Sequence, residues 1–308
     1  MGALFCNQKL EEYHVLLHRH RPVLMAFCVL NLGFAVLATV ENVLVIHALR
    51  SSSTLPGNLK KMFLSLAFSD FAVGLLGQSM LGIITAIMLK MTANGNYDLD
   101  FLCPTLITVC YSVIYFLTCV SFFSIIAITV DRLLVIFLHL RYHELVTSKR
   151  VIFTLASLWM ACGVATFIFT QLPNHQIIFV AVIEIFGLLV ATTAYIYIYR
   201  VIRSLTATVH PQREHQPHDH EQNSNRERKS ASSAFLVYIV FLACFLPNFC
   251  CIMLLTSNRS KVSFILANHI SGFLVLLNSS LNPLIYCWRY REIRQIVKNS
   301  VKKLIFIR

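Results

Sequence analysis

The chain has 308 residues, of which 57% are hydrophobic and only 13% charged, and its mean hydropathy is +0.68. A soluble domain of this size rarely combines those values, so composition points to a polytopic membrane protein. The net charge of +12 raises nucleic acid as a partner. However, the basic residues gather at the ends of apolar stretches, at Arg200, Arg203, Arg226, Arg228, Lys229 and from Arg289 to Lys303. Phospholipid headgroups and a protein partner account for that placement better than nucleic acid does.

Residues 1–22 form a polar segment with Glu11, Glu12, His14, His18, Arg19, His20 and Arg21. No apolar run there ends in a small-residue cleavage site, so a cleaved signal peptide is not expected. Seven stretches follow that meet the requirement of about 20 mostly apolar residues for roughly 30 Å of hydrocarbon. They lie near 23–49, 59–89, 104–137, 150–172, 177–204, 231–256 and 263–287. With the amino terminus outside, 20 Lys and Arg fall on the inner side and 6 on the outer, together the 26 of the chain. That asymmetry selects an extracellular amino terminus and a cytoplasmic carboxyl terminus.

The third stretch ends in Ile128-Thr129-Val130-Asp131-Arg132, and the seventh closes with Asn282-Pro283-Leu284-Ile285-Tyr286. Polar residues and proline are costly at such depths unless they have a partner or a task. Between the fifth and sixth stretches, Thr206 to Lys229 is polar, with Pro211, Pro217 and almost no apolar residue, and reads as a solvated loop. Its His210, His215, His218 and His220 are irregularly spaced and lack a cysteine, a poor metal site. After Tyr286, Ile293, Ile296 and Val297 share one helical face with basic residues elsewhere, which predicts an amphipathic helix along the inner leaflet. The expected fold is an all-α seven-transmembrane bundle over 23–287, preceded by an outer segment, 1–22, and followed by a cytoplasmic helix and tail, 288–308.

These marks fall in order on successive spans and resemble the class A (rhodopsin-like) G-protein-coupled receptors over about residues 23–300. They comprise Asn42 after Glu41, Leu-Ala-Phe-Ser-Asp ending at Asp70, Ser121 and Asp131-Arg132, Trp159, and Tyr195. Phe241 with Cys244-Phe245-Leu246-Pro247, and Asn278 with Asn282-Pro283 and Tyr286, complete the series. Within the class the chain is similar to the melanocortin, cannabinoid, lysophospholipid and adenosine receptors. Glu41-Asn42-Val43-Leu44-Val45, the run from Tyr142 to Val151, and Gly187 in place of the fifth-span proline resemble melanocortin receptors in particular. Four positions depart from the class pattern. Leu133 follows Asp131-Arg132, Phe245 replaces the sixth-span tryptophan, Ile107 stands at the third-span cysteine position, and the second outer loop has no cysteine.

The resemblance implies function and site residues alike. It implies an extracellular ligand, a heterotrimeric G protein and arrestin as partners, and a plasma-membrane location. It places a sodium site at Asp70, Ser121, Asn278 and Asn282, whose oxygens suit a hard cation; a water-filled polar network is the alternative. It implies a clamp between Arg132 and Glu227, twenty residues before Pro247, with Glu227 pairing locally to Arg228 or Lys229 as the alternative. Leu140, Tyr142, Tyr195, Pro283 and Tyr286 join the coupling face and switch. Phe122, Phe241, Phe245 and Pro247 form the transmission cluster, where Pro247 and Pro283 kink their helices. The ligand cavity is expected among spans three, five, six and seven, lined by Tyr111, Tyr115, Thr118, Asn248, Phe249 and His269.

Ile114 and Leu276 stand where aminergic receptors keep aspartate and opsins keep lysine. Glu184, in the outer half of span five, has two readings: a counter-ion to a cationic ligand, or a protonated acid hydrogen-bonded to Asn248 or Gln171. Cys6 and Cys103 both face the exterior on this topology and can pair. A transporter would need a polar path or inverted repeats with broken helices, and neither is visible. A receptor-like protein without ligand is the other alternative. No nucleophile and base are arranged for an enzyme.

Overall fold

A computed structural model describes residues 2–94, 105–138, 141–171, 176–209, 238–254 and 262–306. In chain order the helices are α1 (Gly2–Arg19), α2 (Arg21–Ser51), α3 (Gly57–Ala93), α4 (Thr105–Leu138), α5 (Tyr142–Leu145), α6 (Ser148–Gln171), α7 (Gln176–Val209), α8 (Tyr238–Leu254), α9 (Val262–Arg289) and α10 (Arg291–Phe306). Six of them, α2, α3, α4, α6, α7 and α9, are long and apolar enough to cross a membrane, and α8 is a shorter apolar helix. Helices are the natural outcome, because in hydrocarbon every backbone amide must find its partner within its own segment. Large apolar side chains crowd the outside of the bundle, among them Val29, Phe153, Met160 and Phe186. A water-soluble surface would not carry so continuous an apolar coat.

The seven predicted spans are α2, α3, α4, α6, α7, α8 and α9. Of the sixth expected span, 231–256, only 238–254 lies among the described residues. Helix α7 continues past 204 to Val209, into the stretch read as loop. The remainder of that stretch, with Glu227, lies outside the described residues, as do Leu140 and Cys103. Within α3 the turn over Val73–Gln78 widens to a π-helix. There Gly74 lets α3 approach α2 closely: a Cβ at Gly74 would lie 2.9 Å from Ala38 Cβ and 3.0 Å from the Ala35 carbonyl. Gly187 does the same for α7 and α4, since a Cβ there would run into the Phe122 ring and come within 2.7 Å of Ile126 Cδ1.

Helix α1, within the outer segment expected over 1–22, is an element the sequence reading does not include. It sinks Cys6, Leu10, Tyr13, Leu16 and Leu17 into an apolar core with Met88, Ile107, Ile114 and Leu276. Each such large side chain taken from water contributes about 1.5–3 kcal/mol, enough to hold a short helix in place. Cys6 is disulfide-bonded, and its partner is not among the described residues. A second core at the other end of the bundle joins Phe122, Ile125, Tyr195, Phe241, Phe245, Tyr286 and Ile293.

Helix α10 is amphipathic as expected, with Ile293 fully buried and Ile296 and Val297 packed on that second core. Trp288 and Arg289 belong to the end of α9. Glu292 ties α10 to the turn after α2. Its carboxylate accepts hydrogen bonds from the Ser52 and Thr54 hydroxyls, the Ser53 amide at 3.1 Å and hydroxyl at 3.2 Å, and the Thr54 amide at 3.2 Å. The Ser52 and Thr54 hydroxyls foremost hold its pKa down at about 2, against an ordinary 4.5. A depressed carboxylate stabilises the fold fully above its ordinary pKa and loses that contribution as pH falls through the folded value. The latch is therefore expected to be indifferent to pH between 7 and 5 and to fail only towards pH 2. In Glu292→Gln a spin label at the exposed Asn299 is expected to gain mobility at neutral pH; unchanged spectra would show that the apolar face alone fixes α10.

Candidate functional site

A cavity of about 250 Å³ lies at the α1 end of the bundle, enclosed by α1, α2, α3, α4, α6, α7, α8 and α9. Its walls are mostly aromatic and aliphatic, from Tyr111, Tyr115, Phe169, Phe245 and Phe273. Two polar groups interrupt them. In the first, Lys9 Nζ donates to Glu12 at 2.9 and 3.1 Å and lies 5.4 Å over the Tyr111 ring. Burial opposes the Lys9 charge, but Glu12, with Tyr115 and Tyr13, keeps the ammonium above its ordinary pKa. His269 Nε2 stands 3.8 Å from Glu12 Oε2, and its ring meets Tyr13 edge-on at 5.2 Å. In the second, Ser271 Oγ lies 3.2 Å from Asn248 Oδ1 and Asn248 Nδ2 donates to Glu184 Oε1 at 3.0 Å.

Midway along the bundle, fully buried Asp70 collects three donors. Ser121 and Ser279 hydroxyls each lie 2.9 Å from Oδ1, and Asn282 Nδ2 lies 2.8 Å from Oδ2. Asn42 Nδ2 binds the Ser279 carbonyl at 3.0 Å, so α2, α3, α4 and α9 meet in one polar layer. The carbonyl oxygens of the Asn42, Asn278 and Asn282 side chains are buried there without a partner. Spare acceptor oxygens around a carboxylate fit a hard cation or water, so the donor set agrees with a sodium site.

At the end opposite α1, Asp131 is almost fully buried and accepts from Arg132 and, at 2.6 Å, from the Tyr142 hydroxyl. Tyr195 stacks on Tyr238 with centroids 4.3 Å apart, and its hydroxyl lies 3.4 Å from the Thr129 hydroxyl. Tyr286, just past Pro283 inside α9, packs on Phe63 at 4.8 Å. Phe122, Phe241 and Phe245 join the cavity floor to this end: Phe122 lies 5.1 Å from each of the others, and those two are 4.7 Å apart.

A family model of the 7 transmembrane receptor (rhodopsin family) matches residues 41–286, most of the chain. The chain belongs to that family. It is similar to melanocortin receptor 4 of Danio rerio, with 27% identity over 271 residues, covering 87% of this chain and 81% of that receptor. It is also similar to melanocortin receptor 3 of Rattus norvegicus, with 26% identity over 276 residues, 87% and 82% of the two chains. Melanocortin receptor 3 of Homo sapiens is 26% identical over 274 residues, 85% and 81%. The protein is thus a G-protein-coupled receptor and not an enzyme, a multi-pass plasma-membrane protein that takes an extracellular ligand and couples to a G protein.

Most expected residues of the receptor come together. Tyr111, Tyr115, Thr118, Glu184, Asn248 and His269 all line the cavity. Phe249 does not, because one residue beyond Asn248 turns its side chain about 100° away on the helix. Glu184 meets Asn248 and not Gln171, which is exposed. Asn278 makes no hydrogen bond to Asp70, whereas Ser279, which the sequence reading does not single out, donates to it at 2.9 Å. Both residues stand one turn before Asn282, so helical period alone does not choose between them. The cavity is also wider than expected, since α1 adds Lys9, Glu12 and Tyr13 and α2 adds Phe27 and Asn31. The signal for α1 was present in the sequence: Cys6, Leu10, Tyr13 and Leu17 repeat at helical spacing beneath the charges.

Proposed function

We propose that the receptor binds its ligand in the cavity under α1 and relays occupancy through Phe245, Phe122 and Phe241 to Asp131 and Arg132, where the G protein engages. The observation that carries this reading is the unbroken aromatic contact between the cavity floor and the apolar core beside Arg132. A ligand acts by binding the active arrangement more tightly than the inactive one. The aromatic cluster is the repacking element, with Pro247 and Pro283 as hinges for the inner ends of α8 and α9. Residues 1–22 and the cavity face the exterior; residues 288–308 and Arg132 face the cytoplasm, in line with the basic-residue count.

Leu140, Tyr142, Tyr195 and Tyr286 complete the coupling face, which arrestin shares. Glu227 clamps Arg132 in the resting state. Asp70, Ser121, Asn278 and Asn282 would hold sodium, which supplies positive charge against the buried carboxylate. The pairing of Cys6 with Cys103 ties α1 down over the cavity.

The clamp and coupling are tested together in cells expressing wild type, Glu227→Ala and Arg132→Ala at equal surface levels. Basal G-protein dissociation is expected to rise several-fold in Glu227→Ala, about 1 kcal/mol of population shift, and to vanish in Arg132→Ala. A silent Glu227→Ala removes the clamp; an unimpaired Arg132→Ala removes the assigned coupling residue.

A further inference from the structure

The polar side chains that line the cavity are unequally satisfied, and the inequality points to the ligand. Glu12 has Lys9 as a resident cation at 2.9 Å. Glu184 has no ion pair among the described residues, although it is only 7% exposed. Its Oε1 accepts from Asn248, while Oε2 is buried with no hydrogen-bond partner. Glu184 stands about 12 Å along α7 from its outer end, at 1.5 Å per residue, so bulk water does not solvate it directly.

The surrounding network presents donors to this carboxylate. The Asn248 amide donates to Glu184, and the Ser271 hydroxyl lies between the Asn268 carbonyl at 3.0 Å and Asn248 Oδ1 at 3.2 Å. A second cavity-lining acceptor, Asn31 Oδ1, is also buried without a partner. Its orientation is fixed, because Asn31 Nδ2 is committed to the Phe27 carbonyl at 2.8 Å and a carbonyl requires the donor end of the amide. Both oxygens left open therefore ask the occupant for hydrogen-bond donors, and one of them belongs to a carboxylate with no cation beside it. A buried acceptor left unmatched is costly, and a matched charged one is the strongest contact such a cavity can offer. The rest of the wall, from Tyr111, Tyr115, Phe122, Phe245 and Phe273, suits an aromatic or aliphatic body, and rings beside an ammonium add cation–π attraction.

We propose that the cavity is selective for a compact apolar amine whose ammonium seats on Glu184 Oε2 from α7 while its apolar body lies among the aromatic side chains of α4, α8 and α9. The inference rests on the reading that this cavity receives the receptor's ligand, and it assigns the chemical class of that ligand. It also explains how an amine is accepted where Ile114 offers no charge on α4. A carboxylate-bearing ligand would meet Glu184 with like charge.

The test uses the full-length purified receptor in lipid nanodiscs and follows thermal stabilisation. The probes are phenethylamine and its longer-chain homologues, the phenylalkanols of matched length, and the matching phenylalkanoates. At the best chain length, the amine is expected to bind at least about tenfold more tightly than its alcohol, the ratio that a charged over a neutral hydrogen bond supports, and the carboxylate more weakly still. Glu184→Gln, which keeps the shape and the Asn248 contact, is expected to erase the preference for amine over alcohol. Should Glu184→Gln fold poorly, Glu184→Asp keeps the charge on a shorter arm and is expected to keep the preference at lower affinity.

Equal binding of amine and alcohol to wild type, preference for the carboxylate, no binding by any homologue, or an undiminished preference in Glu184→Gln each overturns the proposal. Nucleotide exchange on a heterotrimeric G protein is measured in parallel. An amine preference that depends on Glu184 without any effect on exchange leaves the ligand class standing and refutes the relay from cavity to G protein.

Discussion

Gly187→Val is expected to lower surface expression and thermal stability sharply, by about 3 kcal/mol or more, the upper range for overpacked cores. In a helix interior, replacing glycine ordinarily gains up to ~1 kcal/mol of backbone entropy. Here the new Cβ would overlap the Phe122 ring and press on Ile126 Cδ1 at 2.7 Å. The Phe122 ring cannot yield cheaply, because it is already held between Phe241 and Phe245. The double variant Gly187→Val with Phe122→Ala is therefore expected to recover folding but not signalling, since Phe122 is also the aromatic relay. Surface labelling and a melting curve in detergent read the first, and G-protein dissociation reads the second. If the single variant is as stable as wild type, α7 and α4 do not meet as closely as described.

Asp70→Asn is expected to change stability in the other direction. A carboxylate buried completely with only neutral partners bears a large desolvation cost, and the amide removes it while keeping the contacts. Its Oδ1 accepts from Ser121 and Ser279 as before. Its Nδ2 faces the Asn282 amide, which can turn over and accept through the Oδ1 that now has no partner. In sodium-free buffer the variant is expected to melt a few degrees higher, about 1–2 kcal/mol. Sodium is expected to raise the melting temperature of wild type and leave Asp70→Asn unmoved. Asp70→Leu separates charge from hydrogen bonding. The two serines can turn to their own i−4 carbonyls, as Thr118 and Thr129 already do at 2.7 and 2.8 Å, but Asn282 is stranded, at about 1–3 kcal/mol. A wild type indifferent to sodium would leave the site to water.

The bundle itself was legible because a hydrocarbon crossing demands a long apolar run, and the six longest helices follow those runs closely. The switch residues were legible because they are polar or proline in apolar surroundings. Asp70 meets Ser121 and Asn282, whereas the contact of Asp131 with Tyr142 is one that the sequence reading does not include. Three features were hidden. The charges of α1 mask an apolar stripe that becomes buried only once α3, α4 and α9 surround it. The π-turn at Val73–Gln78 arises in α3 where Gly74 meets α2, a tertiary contact that a linear pattern does not carry. The contact of Ser279 with Asp70 depends on the rotation of α9, which is finer than any periodicity resolves.

Signal output from the receptor depends on Arg132 serving the G protein. The most direct measurement is guanine-nucleotide exchange by a purified heterotrimeric G protein in vesicles holding either the wild-type receptor or Arg132→Ala at equal amounts. Wild type is expected to accelerate exchange and Arg132→Ala to fall at least about tenfold short, the loss of a charged contact. Equal acceleration by the two would contradict the account, because the aromatic relay would then lead to a residue the G protein does not use.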